Sequence, residues 1–224
     1  MPNWTTTRYC IESDPETIGS LVQALVRQEN PEILEDDTWE VEILKKLGVS
    51  EDILADKYLR GYFTSCERDK EDRLFLVADE AWGLTEFAET LHEAFPNTSI
   101  HYWLEEPGVG VYITNDIDGE YFPERFKVDI EFADGEWDCA YFNCEEDLLE
   151  DLSEILGEEV SSVEDALHKS IDKKLNDGVK DFYVNEFEID CDRCWLGYDQ
   201  NRSEKNDIEV KENPHISRQK SQKM

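Results

Sequence analysis

Residues 126–132, FKVDIEF, alternate apolar and charged side chains without a break, and a turn pair, Asp134-Gly135, separates them from a second strand-like run at 137–142. Successive side chains of a strand point to opposite faces. Phe126, Val128, Ile130 and Phe132 must therefore share one face, and Lys127, Asp129 and Glu131 the other. A chain with such a segment has to supply an apolar layer for one side of a sheet. Asp-Gly suits a tight hairpin because both residues accept the backbone such turns need. The spacing predicts an antiparallel pair over 126–142, its apolar face lying under helices at 14–29 and 85–95.

Those helices have their own signals. Asp14 can cap and Pro15 suits a first helical position; Ile18, Leu21, Val22, Leu25 and Val26 then fall on one face, and Pro31 is expected to end the run. Phe87, Leu91 and Phe95 recur every fourth residue from Thr85, and Phe95-Pro96-Asn97 stops that helix. Strands are predicted at 4–12 (WTTTRYCIE), 73–78 (RLFLVA), 98–105, 109–115 and 181–190. Residues 32–60 are mixed and charged, with helical stretches near 39–47 and 51–59, and read as a helical insertion. Two acidic helices follow the hairpin. One covers 146–156 with Leu148, Leu149, Leu152, Ile155 and Leu156 inward. The other starts at a Ser161-x-x-Glu164 capping box and turns Val163, Leu167, Ile171 and Leu175 to the core. Between 98–105 and 109–115, Pro107-Gly108 is expected to form the middle of a type II turn, which needs positive φ at Gly108. The whole reads as one α+β domain over 1–198 with a flexible tail at 199–224, where apolar content collapses and the last twelve residues carry Arg218, Lys220 and Lys223 without an acid.

Composition decides what such a domain can touch. Asp and Glu total 55 against 22 Lys and Arg, a net charge of −33. That field repels phosphate backbones and anionic lipid, which argues against direct nucleic-acid binding and against membranes. It attracts basic protein surfaces and cations. Disordered acidic chains are poor in aromatics, whereas this one has 6 Trp, 9 Tyr and 10 Phe. The start MPNWTTTRYC has no basic-then-apolar leader, no apolar run approaches a membrane span, and six cysteines are too few for a secreted disulfide scaffold. A reducing cytoplasm is the expected compartment.

Few residues carry an enzyme's signature. Cys191-x-x-Cys194 is half of a zinc or redox motif that Cys139 and Cys144 could complete. Acidic surroundings disfavour reactive thiolates, so ordinary thiols are expected and no metal or other cofactor. His92, His101, His168 and His215 lack ligand spacing, and His101 beside Trp103 reads as a packed imidazole. Asp116-x-Asp118-Gly119-Glu120 lacks the length and closing Glu of a calcium loop. Glu105 and Glu106, at a strand end, are the best-placed acid/base pair, with turn solvation as their ordinary role. The densest feature is Glu145, Glu146, Asp147, Glu150, Asp151, Glu154, Glu158 and Glu159, covering one helix and its ends with no base among them. Carboxylates three or four apart on a helix lie about 5–6 Å from one another, a scale on which they can imitate backbone phosphates, and such like-charge pairs weaken the helix.

The start MPNW, DEAWG after a short strand, and FPNTSIHYWLEEPGVGVY, in that order over residues 1–115, resemble the YubB-type ferredoxin-like family, also called Api92-like, of phage, plasmid and mobile-element proteins. YITNDIDGEYFPERFKVDIEF is similar to the continuation in members from gut anaerobes and extends the resemblance to about residue 132. Thr5 stands where many members have Cys, and GYFTSCERDK stands near the place of a Trp-Gly-Thr-Lys-Trp segment. The resemblance implies a ferredoxin-like α+β sandwich without an iron–sulfur cluster and brings no settled activity; a fold name supplies none. The expected function is a non-enzymatic protein that docks a basic protein partner, mimicking nucleic acid against a host defence or DNA-handling factor. The competing expectation is an enzyme or metal protein using Glu105-Glu106 or the Cys191/Cys194 pair.

Overall fold

The structure is a computed structural model and describes residues 3–27, 30–35, 38–81, 85–171, 175–176 and 178–197. It is a mixed α+β chain. Strand β1 (Trp4–Glu12) needs apolar cover on both sides, because it lies inside a six-stranded sheet. After it come α1 (Pro15–Leu25), β2 (Val26–Arg27), β3 (Asn30–Leu34), α2 (Glu40–Lys46), α3 (Glu51–Leu54), β4 (Gly61–Lys70), β5 (Arg73–Ala81), α4 (Glu86–Ala94), β6 (Ser99–Glu106) and β7 (Val111–Thr114). The second half adds β8 (Phe126–Phe132), β9 (Trp137–Phe142), α5 (Glu145–Leu156), α6 (Val163–Ser170), β10 (Val179–Glu186), β11 (Glu188–Ile189) and a 3-10 turn at Cys194–Gly197. The large sheet has the order β11-β7-β6-β1-β5-β4; it is antiparallel except where β11 joins β7. A second sheet has the order β10-β8-β9, and β2 pairs with β3.

One face of the large sheet carries Tyr9, Ile11, Leu74, Leu76, Ala78, Tyr102 and Leu104 against Ile18, Leu21 and Leu25 of α1, Ile43 and Leu44 of α2, and Phe87, Ala88 and Leu91 of α4. α1 starts as its sequence dictates: Asp14 Oδ1 accepts the Glu16 and Thr17 amides at 3.0 Å, with Pro15 in the first turn. It stops at Leu25 rather than at Pro31, because Val26 pairs with Leu34 and the Glu35 amide donates to Leu25 O at 2.8 Å. Lys46 Nζ then donates to Ala24 O at 3.0 Å and places a cation at the helix C-terminus. The opposite face of the sheet is covered by a smaller aromatic layer of Cys10, Trp103, Tyr112, Phe122 and Phe187.

The largest departure concerns β8. It has the expected bounds, and Val128 is fully buried, but its apolar face lies under α5 and α6, not under α1 and α4. Phe126, Ile130 and Phe132 pack, half-buried, with Leu148, Leu152, Ile155, Leu156, Val160, Ala166 and Phe182 in a separate core. Alternation fixes which residues share a face and leaves open which layer covers it. The other face of β8 is not simply wet: Lys127 is buried between the sheets, 3.1 Å from Glu105 and 3.4 Å from Asp129, near the rings of Tyr112 and Tyr141.

Smaller corrections follow the same logic. β4 lies in a stretch with no strand expectation, since from Thr64 onward its side chains are mostly exposed and two bulges break its register with β5. α6 buries Ala166, while Leu167 and Ile171 are 43% and 66% exposed. Its cap is Ser162, whose Oγ accepts the Asp165 amide at 3.1 Å; Asp165 in turn accepts the Ser161 amide. Between β6 and β7 the positive φ falls on Gly110 (+71°), not Gly108, and the turn is closed by Val109 N–H on Glu106 O and Gly110 N–H on Pro107 O. The expected tail at 199–224, and Trp82 and Gly83 of the DEAWG motif, lie outside the described residues. Among the described residues no helix is long and apolar enough to cross a membrane.

Candidate functional site

α5 is built to show acid to water. Leu148, Leu152, Ile155 and Leu156 form its buried stripe, and Gly157 ends it at φ +67°. Glu145, Glu146, Asp147, Glu150 and Glu154 stand exposed on the helix, with Glu158 and Glu159 exposed just beyond it. The first three complement the positive helix N-terminus; Glu154 sits in the last turn, where the dipole opposes it. Asp151 departs from the expected face. It is half-buried, its Oδ2 has no hydrogen-bond partner among the described residues, and burial followed by the Glu154 charge lifts its carboxyl above the ordinary range. The run itself holds no base, but one approaches from α6. Lys169 of α6 donates to the Glu159 backbone carbonyl at 2.7 Å and to Asp165 at 2.9 Å, which sets a cation at the C-terminal end of the run.

Glu105 and Glu106 do not form a pair. Adjacent strand residues face opposite ways. Glu105 turns to the second sheet and accepts from Lys127 at 3.1 Å and the Tyr141 hydroxyl at 3.2 Å. Glu106 turns to the helix side, is 5% exposed, and accepts from Thr5 Oγ1 at 3.2 Å. Asp116 likewise spends its carboxylate internally, on the amides of Glu120, Tyr121 and Phe122, so that loop folds on itself. Among the described residues no group of three or more His, Cys, Asp or Glu is arranged to hold a metal ion, and all six cysteines are free thiols. Cys139 lies on β9 and Cys144 precedes α5, away from any such grouping. Cys191 and Cys194 are neighbours; the Cys194 thiol donates to Asp190 O at 3.0 Å and is held above its usual range by burial and then by Cys191. Cys191 lines an open hollow of about 290 Å³ with Ile113, Glu188, Ile189, Asp190 and Asp192. Three carboxylates around that hollow work against a thiolate nucleophile.

The most perturbed group of acids lies elsewhere. Across one end of the large sheet, on the helix-facing side, Thr5 is hydrogen-bonded to Glu106, and register aligns Thr5 with Glu80 and Glu80 with Gly61. Glu40, the first residue of α2, enters from above. Glu40 is 3% and Glu80 1% exposed. Glu80 accepts from Thr7 Oγ1 and from the Tyr9 hydroxyl (2.6 Å), and Glu40 Oε2 accepts the Gly61 amide at 2.9 Å. Glu40 Oε1 has no donor among the described residues. Two adjacent buried carboxyls cannot both ionise. Burial, then the hydrogen bond and charge of Glu80, push Glu40 well above the carboxylate range, and burial raises Glu80 as well, so the pair holds a proton. Gly61 is the residue that permits this approach: a Cβ there would lie 2.6 Å from Glu40 Oε1 and 2.7 Å from Glu80 Cγ. The sequence carries a signal for Glu80, since Leu74, Leu76, Ala78 and Glu80 share the inward phase of β5 and place an acid where an apolar side chain belongs. Glu40, in a charged stretch, carries none.

Comparison with family models, with curated proteins and with solved structures returned no match.

Proposed function

We propose that the protein is a non-enzymatic binder that docks a basic protein surface through the outward face of α5, its carboxylates standing where nucleic-acid phosphates would. One observation carries the reading. Glu145, Glu146, Asp147, Glu150 and Glu154 are exposed together on one helix whose other side is committed to a core. Solubility alone is a poor reason for that arrangement, because like charges three and four apart weaken the helix that bears them. A partner that evolved to grip phosphates, such as a host defence or DNA-handling factor, presents the complementary charge. We further propose a ferredoxin-like assignment for β1-α1-β4-β5-α4-β6. The order β6-β1-β5-β4, antiparallel and with both helices contributing to the same core, supports it, as does the resemblance of residues 1–115 to the YubB-type family.

The test is the triple variant Glu146→Gln, Glu150→Gln, Glu154→Gln, which removes three charges and keeps length and helix propensity. A basic partner captured from host lysate in low salt should associate several-fold more slowly with the variant, and the difference should shrink as salt screens exposed charge beyond about 10 Å at 0.1 M. An unchanged association rate in low salt would reduce the run to a solvated face. The rival metal reading has its own check: about one zinc per chain by elemental analysis, lost in Cys191→Ser, would replace the proposal.

A further inference from the structure

At the Trp4 end of the large sheet, on the face away from α1 and α4, three aromatic rings form a row in the open. Trp4 is 46% exposed and its ring centroid lies 5.7 Å from that of Tyr62; Trp39 is 45% exposed and lies 5.4 Å from Tyr62 on the other side. The row is held by backbone: Trp4 opens β1 opposite Ala81, Tyr62 lies in β4 opposite Asp79, and Trp39 bridges directly to Tyr62. A carboxylate sits within it. Asp79 accepts from the Tyr62 hydroxyl at 3.1 Å on Oδ2 and from Thr6 Oγ1 at 3.5 Å on Oδ1, which fixes its orientation and leaves each oxygen a further lone pair. Two half-exposed indoles beside an oriented acid form the kind of patch that marks a contact surface.

We propose that this row seats an arginine side chain of a basic protein partner, its guanidinium over an indole face and its N–H groups toward Asp79. The proposal rests on the reading that the partner is basic and adds where a single residue of it is gripped. Charge complementarity selects a cation for a surface of net charge −33. The aromatic faces select arginine over lysine, because a planar, weakly hydrated guanidinium stacks on a ring while an ammonium stays hydrated. The chain makes the same pairing internally, with Arg8 4.3 Å over Trp103 and Arg60 4.1 Å over Tyr58. A stacked, partly dry contact should persist in salt, unlike attraction to the exposed α5 carboxylates.

The test titrates the full chain with oligo-arginine and with length-matched oligo-lysine, in low and in high salt. The wild type should prefer oligo-arginine and retain that preference in high salt. Trp4→Ala and Trp39→Ala should each weaken oligo-arginine binding about three- to tenfold at both salts and erase the preference; Trp39→Phe should keep part of it, and equal melting temperatures would show that the fold is intact. The α5 triple Gln variant should lose affinity in low salt only and keep the preference, so failure here and failure of the α5 reading are distinguishable. Tryptophan variants that bind both peptides as the wild type does would overturn the proposal. So would a wild type with no arginine preference, or a dimer that Trp39→Ala converts to a monomer, which would make a second copy the occupant.

Discussion

Glu40 is the residue on which pH should act most. Its folded carboxyl keeps its proton well above the ordinary glutamate value of 4.5, through burial and then through Glu80, whereas the unfolded chain releases it near that value. The folded state therefore binds the extra proton between the two, and the associated stability is complete below 4.5 and is lost as pH rises toward the folded pKa, at up to about 1.4 kcal/mol per pH unit per proton. Repulsion among the many surface acids has the same sign, so the diagnostic is a difference between two proteins. Glu40→Gln can still donate to Glu80 and has no proton to lose. Denaturant melts from pH 5 to 9 should show the variant gaining on the wild type as pH rises, and parallel curves would refute the shared proton. Gly61→Ala tests the same pair sterically. A methyl 2.6 Å from Glu40 Oε1 must displace one carboxyl from its partners, and a loss of about 1–3 kcal/mol is expected from a buried polar group left unsatisfied.

β8, α5 and α6 make one packing unit, and its weakest point to insult is Val128, fully buried beside Leu148 and Leu152. Val128→Asp places an unpaired charge there, at a cost of several kcal/mol. Because among the described residues this core shares no side chain with the one under α1 and α4, amide protection should vanish first in β8, β9, β10 and α5 and persist longer in β1 and β5. Hydrogen exchange with unchanged protection in β8 would contradict the packing. The elements themselves were legible where one periodicity rules a stretch: β1 and β8 have the expected bounds, and α4 and α5 differ from expectation by a residue or two. β4 was not legible, because an edge strand with exposed side chains and bulges need not alternate.

At the scale of the molecule, Lys127 links the two sheets. Burial by itself would lower its pKa, but the hydrogen bond and charge of Glu105 outweigh that and hold the ammonium above its usual range. Lys127→Met keeps the stem and removes the charge, leaving Glu105 and Asp129 without their cation between the sheets. A loss of roughly 3 kcal/mol is expected from breaking a largely buried ion pair, measured by urea denaturation; a neutral or stabilising change would mean that this link is dispensable. Around it stand Tyr141 against Trp103, Arg8 over Trp103, and Phe187 stacked on Trp103.

What the chain settles by itself is local: which residues share a face, where Asp14 begins a helix, and that a chain with 55 acids against 22 bases will be acidic wherever it folds. Such properties follow from backbone periodicity and side-chain chemistry within a few residues. The tertiary structure decided which layer covers β8, that Glu105 and Glu106 part to opposite faces of the sheet and into separate environments, and that Glu40 and Glu80, forty residues apart, share one buried proton beside Gly61. Those outcomes depend on pairing between distant strands, and many partners satisfy the same apolar face equally well until the chain closes around one of them.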